Sequence, residues 1–340
     1  MRRVTVTGAG GFIGHHLVRH LELEGCWVRG VDIRAPRFGR SEADEFLILD
    51  LRRAADALAA MDGVEEVYAL AADMGGMGFI SKDEATILHG NTQIDLNTID
   101  AARRQGVRRA LYASSACTYP VYLQELAHAT PLREQDALPA SPQGAYGWTK
   151  LFGEMALGFF ARQHGIEARI ARLHNVYGPE GCFDGGREKA PAAICRKVAL
   201  APPGGEVEIW GDGRQTRSFC YVDDCVRALH ALMRSRFSAP LNIGSERLVS
   251  IDELAAIVLS IAGREDLTLT HVRGPEGVRG RCSDSRLAAE VLGWRPETPL
   301  EIGISRTYSW IARQLGEPPP RGVAVADGAG SGAGLKALAS

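Results

Sequence analysis

The chain has 340 residues, with 39 Lys+Arg against 41 Asp+Glu for a formal charge of −2. That length supports a large core and two lobes. The near-neutral balance lacks the basic face of a nucleic-acid binder, and no apolar run reaches the roughly 18 residues that a membrane span needs.

Residues Met1 to Gly8 turn straight into a strand and a glycine loop without a long apolar segment. No signal peptide is therefore expected, and a cytoplasmic location is. Val4-Thr5-Val6 reads as the first strand, and His15 to Leu21 as the helix after it. Further strands are expected at 27–32, 46–51, 66–70 and 109–114, with helical patterns between them such as 94–102. Another strand fits 168–173. Apolar strands alternating with helices predict an α/β fold, a Rossmann-type doubly wound parallel sheet covered on both faces. Residues 177–217, rich in Gly and Pro, are expected to leave that sheet, and 219–229 to return to it. A short strand fits 241–244, and Ser250 caps an amphipathic helix beginning at Ile251. The tail 317–340 opens on prolines and ends in Gly, Ala and Ser, a composition that predicts disorder. The seven cysteines (26, 117, 182, 195, 220, 225, 282) are scattered, which predicts free thiols. Cys220 and Cys225 lie close together, but no second pair completes a zinc site, so no metal is expected.

Glycines at 8, 11 and 14 form a G-x-x-G-x-x-G loop between the first strand and the first helix. Such a loop lets backbone N–H groups approach a pyrophosphate at the helix N-terminus. Asp32, at the end of the second strand, would accept from a ribose 2′-hydroxyl and repel a 2′-phosphate, which favours NAD over NADP. Arg34 beside it is the feature that could accommodate that phosphate instead. Phe12 and Ile13 within the loop, Asp50 and Leu51 at an adenine edge, and Ala71 and Ala72 after the fourth strand complete the expected cofactor contacts. Tyr146 and Lys150 are four apart and share one helical face. The ammonium, with a cationic nicotinamide, is expected to pull the phenol down from about 10 so that it can take a proton from a sugar hydroxyl. Ser115 can orient the same hydroxyl.

This ordered set resembles the extended short-chain dehydrogenase/reductase superfamily and, within it, the GDP-mannose 3,5-epimerase family. The segments that carry the closer resemblance are 71–80 (AADMGGMGFI), 114–120 (SSACTYP), 185–193 (GGREKAPAA), 210–219 (WGDGRQTRSF) and 274–281 (GPEGVRGR). The match runs over residues 4–315. It implies an enzyme that converts GDP-mannose to GDP-L-galactose and GDP-L-gulose with tightly held NAD. By this resemblance Tyr146 deprotonates the C4 hydroxyl as NAD⁺ takes the hydride. Cys117 and Lys189 then exchange protons at the carbons beside the 4-keto group, and the hydride returns. Where related dehydratases carry Asp and Glu, this chain has Ala116-Cys117, which argues against loss of water. The substrate-side residues implied by the motif match are Gly75, Ser115, Ala116, Cys117, Asn175, Glu188, Lys189, Ala190, Lys197, Gln215, Thr216, Arg217 and Arg281. The implied organisation is an NAD-binding domain at 1–174, rejoined by 218–243, and a substrate-binding lobe built from 175–217 and 244–316. The resemblance further implies a homodimer, through helices that include the Tyr146–Lys150 helix. Segments 121–126 and 180–184 fit the family less well, so a related epimerase of another GDP-sugar remains open. So does a non-catalytic NAD(H) sensor on the same fold.

Overall fold

The structure, a computed structural model, describes residues 1–317. The expected disordered tail lies almost wholly outside them. The elements run β1 (Arg3–Thr7), α1 (Phe12–Leu23), β2 (Trp27–Asp32), β3 (Glu45–Ile48), α2 (Ala54–Ala60), β4 (Glu66–Ala69), α3 (Met77–Ile80), α4 (Glu84–Arg104) and β5 (Arg109–Ser115). They continue with α5 (Gly144–His164), β6 (Glu167–Leu173), β7 (Val176–Tyr177), α6 (Ala190–Leu200), β8 (Glu206–Trp210), β9 (Thr216–Ser218) and β10 (Cys220–Tyr221). The last are α7 (Val222–Arg234), β11 (Pro240–Ile243), β12 (Leu248–Ser250), α8 (Ile251–Ala262), β13 (Thr268–Val272), β14 (Gly280–Arg281), α9 (Arg286–Leu292) and α10 (Leu300–Leu315).

Seven strands form one parallel sheet in the order β3-β2-β1-β4-β5-β6-β11. Side chains alternate across it, as a two-residue period demands. Val4, Val6, Val28 and Leu111 pack on one face with Leu17 and Leu21 of α1 and Leu229 of α7. Val31, Val67, Ala110 and Tyr112 pack on the other with Ala57 of α2, Ile99 of α4 and Leu157 of α5. The sheet is therefore buried on both sides, which is why its strands read as nearly continuous apolar runs.

The third strand is shorter than expected, ending at Ile48. The Gly/Pro-rich stretch does leave the sheet, but it also builds α6 and β8, which the sequence pattern did not indicate. Residues 220–221 (β10) pair with β7 in a separate two-stranded sheet, and the return to the main sheet is made by β11. The rest comprises parallel β8/β13, a three-stranded β12-β9-β14 sheet, and helices α6, α8 and α10 packed on one another. Ser250 caps α8 as expected. Its hydroxyl accepts the Glu253 N–H at 3.0 Å while the Glu253 carboxylate accepts the Ser250 N–H at 2.6 Å.

Candidate active site

Between β1 and β4 the chain reverses its direction of travel across the sheet, and a cavity of about 660 Å³ opens over the strand ends there. The glycine loop lines it. A Cβ on Gly14 would stand 2.1 Å from the Gly8 carbonyl oxygen, so the start of α1 rests directly on the end of β1. Gly8 has φ 72°, and a Cβ there would meet Ala71 N at 2.9 Å. Gly10, which the G-x-x-G-x-x-G reading passed over, is equally constrained. Its Cβ would lie 2.2 Å from Arg34 O, and its N–H donates to Asp32 Oδ2 at 3.0 Å. The adjacent pair Gly10-Gly11 was the available signal. Burial pushes the Asp32 carboxyl up, against the pull of the Arg34 and Gly10 N–H groups. Phe12, Ile13, Asp50, Leu51, Ala71, Ala72, Tyr146 and Lys150 line the same cavity. The Asp50 carboxylate is gripped by Arg52 at 2.7 Å and so turns its charge to that partner. A cradle that a single methyl group would fill, with an acidic side chain at the end of β2, fits a dinucleotide.

The segment after β7 roofs this cavity and is fastened on both sides. Arg37 grips Asp184 with two hydrogen bonds of 2.5 and 2.8 Å, and Phe38 stacks on Phe183 at 5.7 Å. On the other side Arg187 pairs with Asp73 at 2.7 Å and lies 3.7 Å over the Phe79 ring. Gly76 donates to the Arg187 carbonyl at 3.0 Å. A Cβ on Gly76 would stand 2.4 Å from the Glu188 carbonyl.

A second cavity of about 380 Å³ adjoins the first, and Gly75, Ser115, Tyr146, Asn175 and Lys189 line both. Lys150 belongs to the first alone, and Ala116 and Cys117 to the second alone. Tyr146 and Lys150 do share a face of α5, with the Lys150 nitrogen 5.9 Å from the Tyr146 ring centroid and 4.6 Å from that of Tyr112. The expected lowering of the Tyr146 phenol by Lys150 is not found. Burial holds it well above its usual range, and Cys117 and Asp95 add to that; only the Ser115 hydroxyl pulls it down. Burial likewise lowers the Lys150 ammonium, against Asp95 and Glu154. Beneath them, Ser114 donates to Glu154 at 2.5 Å and Arg172 clamps the same carboxylate at 2.7 and 2.8 Å, fixing the end of β5.

Ser115 Oγ accepts the Cys117 N–H at 3.1 Å. Burial alone would raise the Cys117 thiol, but Arg281, the Ser115 hydroxyl and Lys189 outweigh it and hold the thiol below its ordinary value. Lys189 sits at the N-cap of α6, where burial pushes its ammonium down against the pull of Cys117. Both groups thus give up their protons below their ordinary values.

Glu188, Ala190, Lys197, Gln215, Arg217 and Arg281 line the rest of the second cavity. Thr216 does not join them. On β9 its side chain points opposite to its neighbours, and its hydroxyl donates to the Ala127 carbonyl. Asn175, at φ 41°, donates to the Ser218 carbonyl at 2.8 Å, and Lys197 to that of Glu208 at 2.7 Å. Among the described residues, no carboxylate lies within ion-pair distance of Arg217 or Arg281. Arg217 donates to the carbonyls of Thr216, Glu276 and Val278. Buried and unpartnered atoms gather here: Arg281 Nη2, Gln215 Oε1, Glu188 Oε2 and Arg196 Nε. Such atoms call for a polar ligand, and two uncompensated guanidinium groups call for an anionic one. Arg196 and the rim residue Trp210 were missed from sequence, although Trp210 opens a segment quoted for its resemblance. All seven cysteines are free. One His/Glu cluster, His20–Glu24–His230, stands between α1 and α7 outside both cavities, with the two imidazoles hydrogen-bonded at 3.1 Å.

A doubly wound sheet with a glycine loop at its switch point and a Ser-Tyr-Lys set at the cavity wall defines a Rossmann-type short-chain dehydrogenase/reductase. Within that class, residues 4–244 match the NAD dependent epimerase/dehydratase family, and the chain belongs to it. It is 46% identical over 326 residues to a GDP-mannose 3,5-epimerase 1 of Oryza sativa subsp. japonica, covering 95% of this chain and 85% of that protein. It is also 46% identical over 322 residues to a GDP-mannose 3,5-epimerase of Arabidopsis thaliana, covering 94% and 85%. Among solved structures it superposes on a UDP-glucose 4-epimerase with UDP-glucose from Thermotoga maritima, with a TM-score of 0.82 and 28% identity, covering 92% of this chain and 99% of that one.

Proposed function

We propose that this chain is an NAD-dependent GDP-sugar epimerase acting on GDP-mannose, inverting carbon centres beside C4. The observation that carries this reading is the wall shared by the two cavities. It holds the Tyr146 phenol and the Lys189 ammonium, with the Cys117 thiol lining the second cavity beside them, and the thiol and the ammonium both sit below their ordinary proton affinities. When bound in the first cavity, NAD supplies a reversible hydride acceptor for C4. Tyr146 holds and returns the proton of the C4 hydroxyl, and Ser115 orients that hydroxyl. Cys117 and Lys189 remove and deliver protons at the carbons made acidic by the neighbouring carbonyl. Arg217 and Arg281 carry the charge complement of a diphosphate, and Glu188, Gln215 and Asn175 offer polar contacts to the sugar nucleotide. Residues 175–217 and 244–316 act as the substrate lobe over the NAD-binding part, 1–174 with 218–243.

The test is incubation with GDP-mannose in D₂O, read by NMR and mass spectrometry. Deuterium should appear at C3 or C5, without a dehydrated product and without added NAD. Loss of water, or no exchange on any GDP-sugar, rejects the reading. Exchange on a different GDP-sugar alone would move the substrate and keep the chemistry.

The assembly is proposed as a homodimer through α5. Trp148, Phe152, Met155 and Phe159 are exposed by 49%, 45%, 53% and 56%. Their spacing forms an apolar stripe along one helical face, which a second copy would cover. The described residues contain no helix long and apolar enough to cross a membrane. Seven free thiols suit a reducing compartment, and the cytoplasm is proposed.

A further inference from the structure

We propose that Gln124 is a positioning residue that holds the Arg281 guanidinium against Cys117 and so sets when the thiol can act as a base; this rests on the acid–base reading of Cys117. Gln124 is 1% exposed, and each polar atom of its side chain is engaged. Its Oε1 accepts Arg281 Nε at 2.5 Å, and its Nε2 donates to the carbonyls of Tyr119 and Pro120 at 3.1 and 3.0 Å. Its own carbonyl accepts the N–H groups of Arg279 and Gly280 at 2.9 and 3.1 Å. One residue therefore ties the turn that follows Cys117 to the strand that carries Arg281.

A guanidinium is planar and rigid. With Nε pinned by Gln124 and Nη1 donating to Cys117 Sγ at 3.4 Å, its orientation is fixed, and Nη2 is left buried without a partner. Without the Gln124 acceptor, Arg281 is free to turn to an anion in the same cavity. The chain allows this arrangement only because residue 280 is glycine. A Cβ there would lie 2.2 Å from the Leu126 carbonyl, so any larger residue would push the Gln124 turn off β14. The other groups facing the thiol are Lys189 at the start of α6, Arg217 on β9, Ser115 at the end of β5 and Tyr146 on α5. Arg281 is the one cation among them that hydrogen-bonds the sulfur. Sequence gave no sign of this role, because Gln124 lies in a segment that fits the resemblance poorly.

Peptide-resolved alkylation of Cys117 by iodoacetamide across a pH series, in the NAD-loaded protein, reads the thiolate without substrate. Gln124→Met keeps the volume and removes the acceptor, and the Cys117 midpoint should rise by about one pH unit. Deuterium exchange on GDP-mannose should lose kcat about tenfold below the new midpoint. Gln124→Leu removes the same acceptor without adding a charge, and should raise the midpoint as well. It serves if the methionine variant does not fold. A folded variant of either kind with the parent midpoint overturns the proposal. Exchange persisting at the normal rate in Cys117→Ala overturns the acid–base reading instead, and leaves the alkylation result standing.

Discussion

A thiol and an ammonium ordinarily lose their protons about two pH units apart. In this chain Arg281, Ser115 and Lys189 hold Cys117 below its ordinary value against burial, and burial holds Lys189 below its own. The productive form needs a thiolate to accept a proton and an ammonium to give one. The rate therefore rises with pH as Cys117 ionises and falls as Lys189 deprotonates. Both limbs of the bell in kcat/KM should lie below the ordinary values for Cys and Lys. Arg281→Met should move the acidic limb upward, because it removes the cation bonded to sulfur; an unmoved limb in a pH–rate series would count against that sign. Cys117→Ala should abolish deuterium incorporation while NAD stays bound, since Cys117 lines only the second cavity. Tyr146 carries a different lesson. Helical spacing correctly placed it beside Lys150, but spacing cannot tell which way burial tips a phenol.

The apolar stripe on α5 gives the proposed dimer a direct test. Phe152→Asp should convert the dimer to a monomer in sedimentation velocity and leave the fold intact by circular dichroism. A monomeric parent protein would remove the assembly proposal. Gly14→Ala forces α1 away from β1, because its methyl would stand 2.1 Å from the Gly8 carbonyl. Its expected cost is about 1–3 kcal/mol in a denaturant titration, together with loss of NAD binding. These elements were legible for physical reasons. β1, β2, β4 and β5 are apolar because both faces of the sheet are covered, and a glycine loop after a β-branched run has few alternative uses. Helix α6 was not legible, since Gly185, Gly186 and Pro191 argue against a helix. Proline within the first turn lacks only an N–H that has no helical partner, so the helix begins there at little cost. Local pairs such as Tyr146 and Lys150 can be read from spacing. The contact between Gln124 and Arg281 spans 157 residues and that between Arg37 and Asp184 spans 147, so only the fold reveals them.

Across the whole molecule, the segment after β7 reaches from one cavity to the other. Its Asp184 and Arg187 are anchored to the walls of the first, and the same segment delivers Lys189 to the second. Arg37→Ala should therefore speed NAD release in a fluorescence chase, and a parent-like release rate would show the clasp to be idle. The consequence reaches further than retention of a cofactor. A segment whose ordering serves two ligands couples their binding free energies, and such coupling is reciprocal. If GDP strengthens the hold on NAD by some factor, NAD must strengthen the hold on GDP by that same factor. Breaking the clasp at Arg37 should shrink both gains together, although Arg37 borders only the first cavity.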